Sequence, residues 1–161
     1  MNIKRVYVKG FKNVSDVDFT FEKLTALVSL NNYGKSVLLS AINFGFDFIG
    51  APMEIKKQMM SKRDFIPLNN NMNCDDFKFG FEFEDILDNL VYIGNYEYKF
   101  NWESDFDSLS NCHIYDEKLR LKQRGKGQRF ETYFSRFESG ATYKSSKTAR
   151  NSKKINIDKV N

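Results

Sequence analysis

Apolar and polar residues alternate along much of this chain, and the alternation predicts a β-rich molecule interrupted by one helical stretch. Ile3, Val6 and Val8, closing on Gly10-Phe11, predict a first strand. Val17, Phe19 and Phe21 then alternate with Asp16, Asp18 and Thr20, which is the period of a half-buried strand. The intervening Lys12-Asn13 makes a hairpin the simple connection. Leu24 to Leu30 is short and almost continuously apolar, as expected of a strand buried on both faces. From Lys35 to Ile49 the spacing changes. Leu38, Leu39, Ile42, Phe46 and Ile49 recur at three- and four-residue steps and predict an amphipathic helix. Gly50 and Pro52 punctuate it, and Met53 to Lys62 reads as a second, more polar helix.

Beyond the loop Asn69 to Asn73, the period returns to two. Phe77, Phe79, Phe81 and Phe83 form the clearest strand, and Tyr96, Tyr98, Phe100 and Trp102 repeat its pattern. His113 to Leu121 alternates again, and Arg124-Gly125-Lys126-Gly127 predicts a turn into Phe130–Phe134. Three segments follow: a core over 1–62, an antiparallel β-subdomain over 63–140, and a basic tail, exposed and flexible, over 141–161.

Composition adds limits. A chain of 161 residues suits one domain with a real core, and 16% aromatic residues, sixteen of them Phe, favour strands. Cys74 and Cys112 lie far apart and His113 is the single histidine. These counts argue against zinc or a disulfide framework and suit a reducing cytoplasm. No apolar run approaches the length of a membrane helix. Charge is unevenly spread: residues 118–161 hold thirteen Lys and Arg against three Asp and Glu, whereas residues 1–117 hold twelve against eighteen.

Candidate chemistry lies between the apolar run and the helix. Residues 29–36, Ser-Leu-Asn-Asn-Tyr-Gly-Lys-Ser, match GxxxxGK[ST] with Ser29 in place of the first glycine. Gly34 lets the backbone approach phosphates, Lys35 can reach the β- and γ-phosphates, and the Ser36 hydroxyl is a Mg²⁺ ligand. Loop amides and the helix N-terminus present N–H donors and about half a positive charge to an anion. A nucleoside triphosphate, with ATP and Mg²⁺ as its expected form, is the implied ligand.

Over residues 1–49 the chain resembles the N-terminus of ABC-type ATPases of the SMC/RecF/OLD group, above all AAA-family ATPases associated with abortive infection. Asn31, Asn32, Tyr33, Gly34, Lys35, Ser36 and Val37, running on into Leu38-Leu39-Ser40-Ala41-Ile42, carry the resemblance. Asn31 matches the asparagine usual in the family's loop. Lys12 and Asn13 match its basic-then-Asn pair after the first strand, which can lie near the phosphates. The resemblance implies an α/β fold, a P-loop NTPase half-head with a mixed sheet around one main helix plus an antiparallel β-subdomain. It also implies a function in DNA maintenance or phage defence.

The family's signature motif, Walker B strand and switch histidine have no counterpart here. Phe81-Glu82-Phe83-Glu84-Asp85 only imitates a Walker B strand, because Glu82 interrupts the apolar run. The chain therefore reads as the N-terminal portion of an ATPase head, needing a missing ATPase lobe or a second subunit, and binding is better supported than hydrolysis. His113, Asp116 and Glu117 alternate across a strand and do not read as a catalytic cluster. Lys118, Arg120, Lys122, Arg124, Lys126 and Arg129 line one strand–turn–strand and are candidates for nucleic-acid contact. The alternative is a non-enzymatic basic β-rich module for nucleic acid or protein that retains a degenerate phosphate loop.

Overall fold

The computed structural model describes residues 1–26, 28, 34–67, 76–103, 112–125, 129–144 and the backbone of 153–156. Its strands are β1 (Asn2–Phe11), β2 (Val14–Thr20), β3 (Asp76–Leu87), β4 (Leu90–Asn101), β5 (Ile114–Gln123), β6 (Glu131–Phe137), β7 (Gly140–Tyr143) and β8 (Lys153–Asn156). Two helices, α1 (Lys35–Gly50) and α2 (Met53–Met60), and a 3₁₀ turn at Arg63–Phe65 separate β2 from β3. The strands make one eight-stranded sheet in the order β2-β1-β3-β4-β5-β6-β7-β8, and every neighbouring pair is antiparallel.

This overturns the expected α/β half-head with a mixed sheet: the fold is β-rich, and its described pairings contain no parallel partner. The apolar run expected as a buried strand is the reason. Leu24 and Val28 are 89% and 91% exposed, and residues 21–26 carry no strand. β1 already has β2 on one side and β3 on the other, so the sheet has no lateral position left beside it for that run. An apolar run becomes a buried strand only where neighbours supply a ladder and a cover on each face.

The elements with regular alternation form where the pattern places them. Lys12-Asn13 is a two-residue hairpin turn, with Phe11 opposite Val14 and Lys12 at φ 50°. Asp88 and Asn89 make a second such turn, both at positive φ, so β4 starts at Leu90, before the alternation at Tyr96. Within the stretch expected as a tail, β7 pairs with β8 in register from Gly140↔Asn156 to Tyr143↔Lys153.

One face of the sheet carries the core. Phe77, Phe79, Phe81, Tyr98 and Phe100 project from β3 and β4 beside Val6 and Val8 of β1, and α1 lies across them. Its contact seam is Ala41, Phe44, Gly45 and Phe48, while Leu38, Ile42, Phe46 and Ile49 flank it and Leu39 is half exposed. Small residues at 41 and 45 explain why this seam, and not the larger aliphatics, faces the sheet: they let the helix backbone come close. Tyr98 Oη donates to the Gly45 carbonyl at 2.9 Å. Phe48 stacks on Tyr98 and Phe100 at 5.0 and 4.9 Å between centroids, and Phe44 meets Phe77 edge-on at 5.1 Å. Offset and edge contacts of this kind contribute about 0.5–1.5 kcal/mol each beyond area burial.

Candidate functional site

The first turn of α1 is the candidate site. Gly34 sits at its N-cap in the left-handed region, φ 77° and ψ −11°, and its carbonyl accepts the first helical bond from the Leu38 amide at 2.8 Å. A left-handed N-cap is a glycine position, because a Cβ there meets the neighbouring carbonyl. Among the described residues no side chain caps this terminus, and the first turn holds no acidic residue. The positive end of the helix dipole is therefore not offset by a carboxylate of its own first turn. Lys35 and Val37 are half-buried and Ser36 is exposed. Ser40 Oγ donates to the Ser36 carbonyl at 2.8 Å, a back-bond within the helix that leaves the Ser36 hydroxyl on the outside. Ser29, Asn31, Asn32 and Tyr33 lie outside the described residues.

Lys12 and Asn13 occupy the β1–β2 turn, pinned to the 3₁₀ turn by a bond from the Lys12 amide to the Phe65 carbonyl at 2.8 Å. The Lys12 ammonium lies 5.1 Å from the Phe65 ring centroid, and Lys62 lies over the same ring at 4.4 Å. Asn13 is exposed. Phe65 packs on Phe11 and Phe44 at 4.9 and 5.3 Å, so the turn is tied to the middle of α1 through an aromatic cluster. Among the described residues, the Lys12 ammonium therefore lies against aromatic rings, those of Phe65 and Phe11.

The basic strand is arranged as expected but not left free. Lys118 and Arg120 project from the open sheet face, opposite α1. Lys118 pairs with Asp116 at 2.8 Å, Arg120 with Glu97 at 3.3 Å, and Arg124 with Glu84 at 3.4 Å. The Lys122 ammonium lies 4.5 Å from the centre of the Phe130 ring. Arg129 is exposed, and Lys126 lies outside the described residues. Asp116 and Glu117 face opposite sides of the sheet, as their alternation predicts: Asp116 pairs with Lys99 and Lys118, and Glu117 accepts from Tyr96 and pairs with Arg136.

Three tyrosines show how charged the surroundings are. Burial, reinforced by a hydrogen bond to Glu97, pushes the Tyr7 hydroxyl well above its ordinary range, and burial with the Glu117 bond does the same for Tyr96. Burial and the neighbouring Asp76 push Tyr115 up to about 12. All three remain neutral donors at physiological pH. Among the described residues no group of three or more His, Cys, Asp or Glu side chains could hold a metal ion. No helix among them is long and apolar enough to cross a membrane. Compared with family models and with curated proteins, the chain matches none.

Proposed function

We propose that this chain binds a nucleoside triphosphate, ATP in the expected case, at the N-terminus of α1, as the N-terminal portion of an ABC-type ATPase acting in DNA maintenance or phage defence. The observation that carries this reading is the left-handed Gly34 at the N-cap of α1, followed directly by Lys35 and Ser36. The amides of the first turn are available to an anion, with no first-turn carboxylate in competition. Lys35 adds a mobile positive charge for the terminal phosphates. Ser36 gives one oxygen to Mg²⁺, whose other positions are filled by phosphate oxygens and water. No residue of the chain is assigned to activate an attacking water, so the proposal covers binding and not hydrolysis.

Titration calorimetry with ATP and Mg²⁺ tests it on the wild type and Lys35→Ala. The expected result is saturable heat in the wild type and affinity at least about tenfold weaker in the variant, the size of one lost charge-assisted hydrogen bond. Equal affinity in the two proteins, or no heat in either, overturns the proposal and leaves the non-enzymatic interaction module as the reading.

A further inference from the structure

The open face of the sheet holds a feature that only strand register creates. Lys9 of β1 stands opposite Lys78 of β3, and Lys78 stands opposite Lys99 of β4. Three lysines thus lie side by side on three adjacent strands, across roughly 10 Å at ordinary strand spacing. Like charges placed directly opposite destabilise a sheet. The row ends in a carboxylate on each side, Asp16 opposite Lys9 and Asp116 opposite Lys99.

Internal neutralisation of the row is incomplete. Lys99 is satisfied by Asp116 at 3.0 Å. Lys78 reaches Glu97 only at 3.8 Å, because that carboxylate already accepts from Tyr7 at 2.7 Å and pairs with Arg120 at 3.3 Å. Lys9 has no ion pair or hydrogen bond among the described residues, although Asp16 is its register partner. Arg120 adds a buried Nε–H without a hydrogen-bond acceptor. Above these groups lies a cleft of about 540 Å³, lined by the three lysines, Arg5 and Arg120 and by the carboxylates Asp16, Asp18, Asp76, Glu82 and Glu97.

We propose that this cleft binds a compact phosphate monoester whose remaining part carries hydroxyl groups, as in a sugar phosphate. Three ammonium groups in a line, two of them under-neutralised, match a tetrahedral dianion with several acceptor oxygens. Asp16 and Asp76 in the lining accept from the hydroxyls, beside the Tyr7 ring, which covers Gly80 and carries the Lys78 ammonium 4.9 Å from its centroid. The carboxylates closing both ends of the row repel a continuous phosphate chain, which favours a single phosphate over a nucleic-acid backbone. The cleft is separate from the first turn of α1: its lining comes from the sheet strands β1 to β5 on the face opposite the helix.

Calorimetry on the full chain, the Lys9→Gln/Lys78→Gln double variant and Lys35→Ala tests the proposal, with glucose 6-phosphate, inorganic phosphate, glucose and a short single-stranded oligonucleotide as probes. Glucose 6-phosphate should bind the wild type and Lys35→Ala alike and the double variant at least about tenfold more weakly. Without ligand the double variant should melt no lower than the wild type, since opposed like charges have been removed. Failure of glucose 6-phosphate to bind, equal binding by the double variant, or loss of binding in Lys35→Ala overturns the site. Inorganic phosphate binding as tightly as the sugar phosphate overturns the monoester assignment, and an oligonucleotide binding more tightly than either overturns the choice of a single phosphate.

Discussion

Replacing Gly45 with alanine tests the seat on which the candidate site depends. A Cβ at this position would lie 2.2 Å from Phe79 Cδ2 and 2.3 Å from Cε2. Ordinary carbon–carbon contact is about 3.5–4 Å, so something must move by an ångström or more. Phe79 is fully buried and is held by Phe46, Tyr98 and Phe81 at 5.1, 5.8 and 6.3 Å between centroids. The ring has little room to turn aside. The strain of such overpacking is about 1–3 kcal/mol. Lifting α1 also stretches the bond from Tyr98 to the Gly45 carbonyl, worth about 1 kcal/mol. Against both stands a helix-propensity gain of about 1 kcal/mol for alanine over glycine.

The expected net is a loss of about 1–3 kcal/mol. Urea unfolding should show it as a lower midpoint at unchanged slope, and a thermal melt as a fall of about 2–4 °C per kcal/mol for a chain this long. Phe79→Leu should partly rescue Gly45→Ala in a double-mutant cycle, because it removes the atoms the new methyl meets. An alanine variant as stable as the wild type, or a strictly additive cycle, would show that α1 does not rest on Phe79 and would refute the reasoning. A displaced α1 carries Gly34 to Val37 with it, so ATP affinity should fall in the same variant.

Two further outcomes follow from exposure and charge. Leu24→Asp and Val28→Asp should each change stability by no more than about 0.5 kcal/mol, as surface positions do, and a loss above about 2 kcal/mol in urea unfolding would restore the buried strand. For Asp116, burial pushes the carboxyl up, but hydrogen bonds and charges from Lys118 and Lys99 outweigh it and hold the group below its ordinary value. A depressed folded-state pKa contributes stability above the ordinary carboxylate value of about 3.9 and loses it as pH falls further. The stability gap between wild type and Asp116→Asn should therefore be level from about pH 5 to 7 and close in more acid solution. A gap that is independent of pH down to full protonation contradicts the ion pairs.

Local pattern was a good guide where the physics is local. Alternation in Val6 and Val8, in Phe77 to Phe83 and in Tyr96 to Phe100 marks the covered face correctly, because period two assigns each side chain to one side of the sheet whatever its partners. The break at Gly50-Ala51-Pro52 also ends α1 as read. The same reasoning failed in the run Leu24 to Leu30, where a two-sided burial was inferred from apolarity: Leu24 and Val28 are exposed, and Leu27, Ser29 and Leu30 lie outside the described residues. It also missed the centre of the stripe on α1, although Leu38, Ile42, Phe46 and Ile49 do pack against the core. Leu39 scores as core by hydropathy, yet Ala41 and Gly45 face the sheet, since close approach to flat aromatic rings rewards small residues over large ones.

At the candidate site, Gly34, Lys35 and Ser36 were read from a motif, and the structure adds that Gly34 is a left-handed N-cap. The basic strand was legible as charge but not as its neutralisation, which requires Glu97 and Glu84 to arrive from β4 and β3 beside Asp116 of β5 itself. The lysine row was not legible at all: Lys9, Lys78 and Lys99 are separated by dozens of residues, and neither spacing nor composition connects them. By itself the sequence determined which residues alternate and where α1 begins, for each of these depends on near neighbours in the chain. The tertiary structure alone decided that the sheet is antiparallel throughout, that α1 sits on its small residues, and that three lysines share one row. Those outcomes depend on which strands pair and in what register, and register is a property of the assembled sheet.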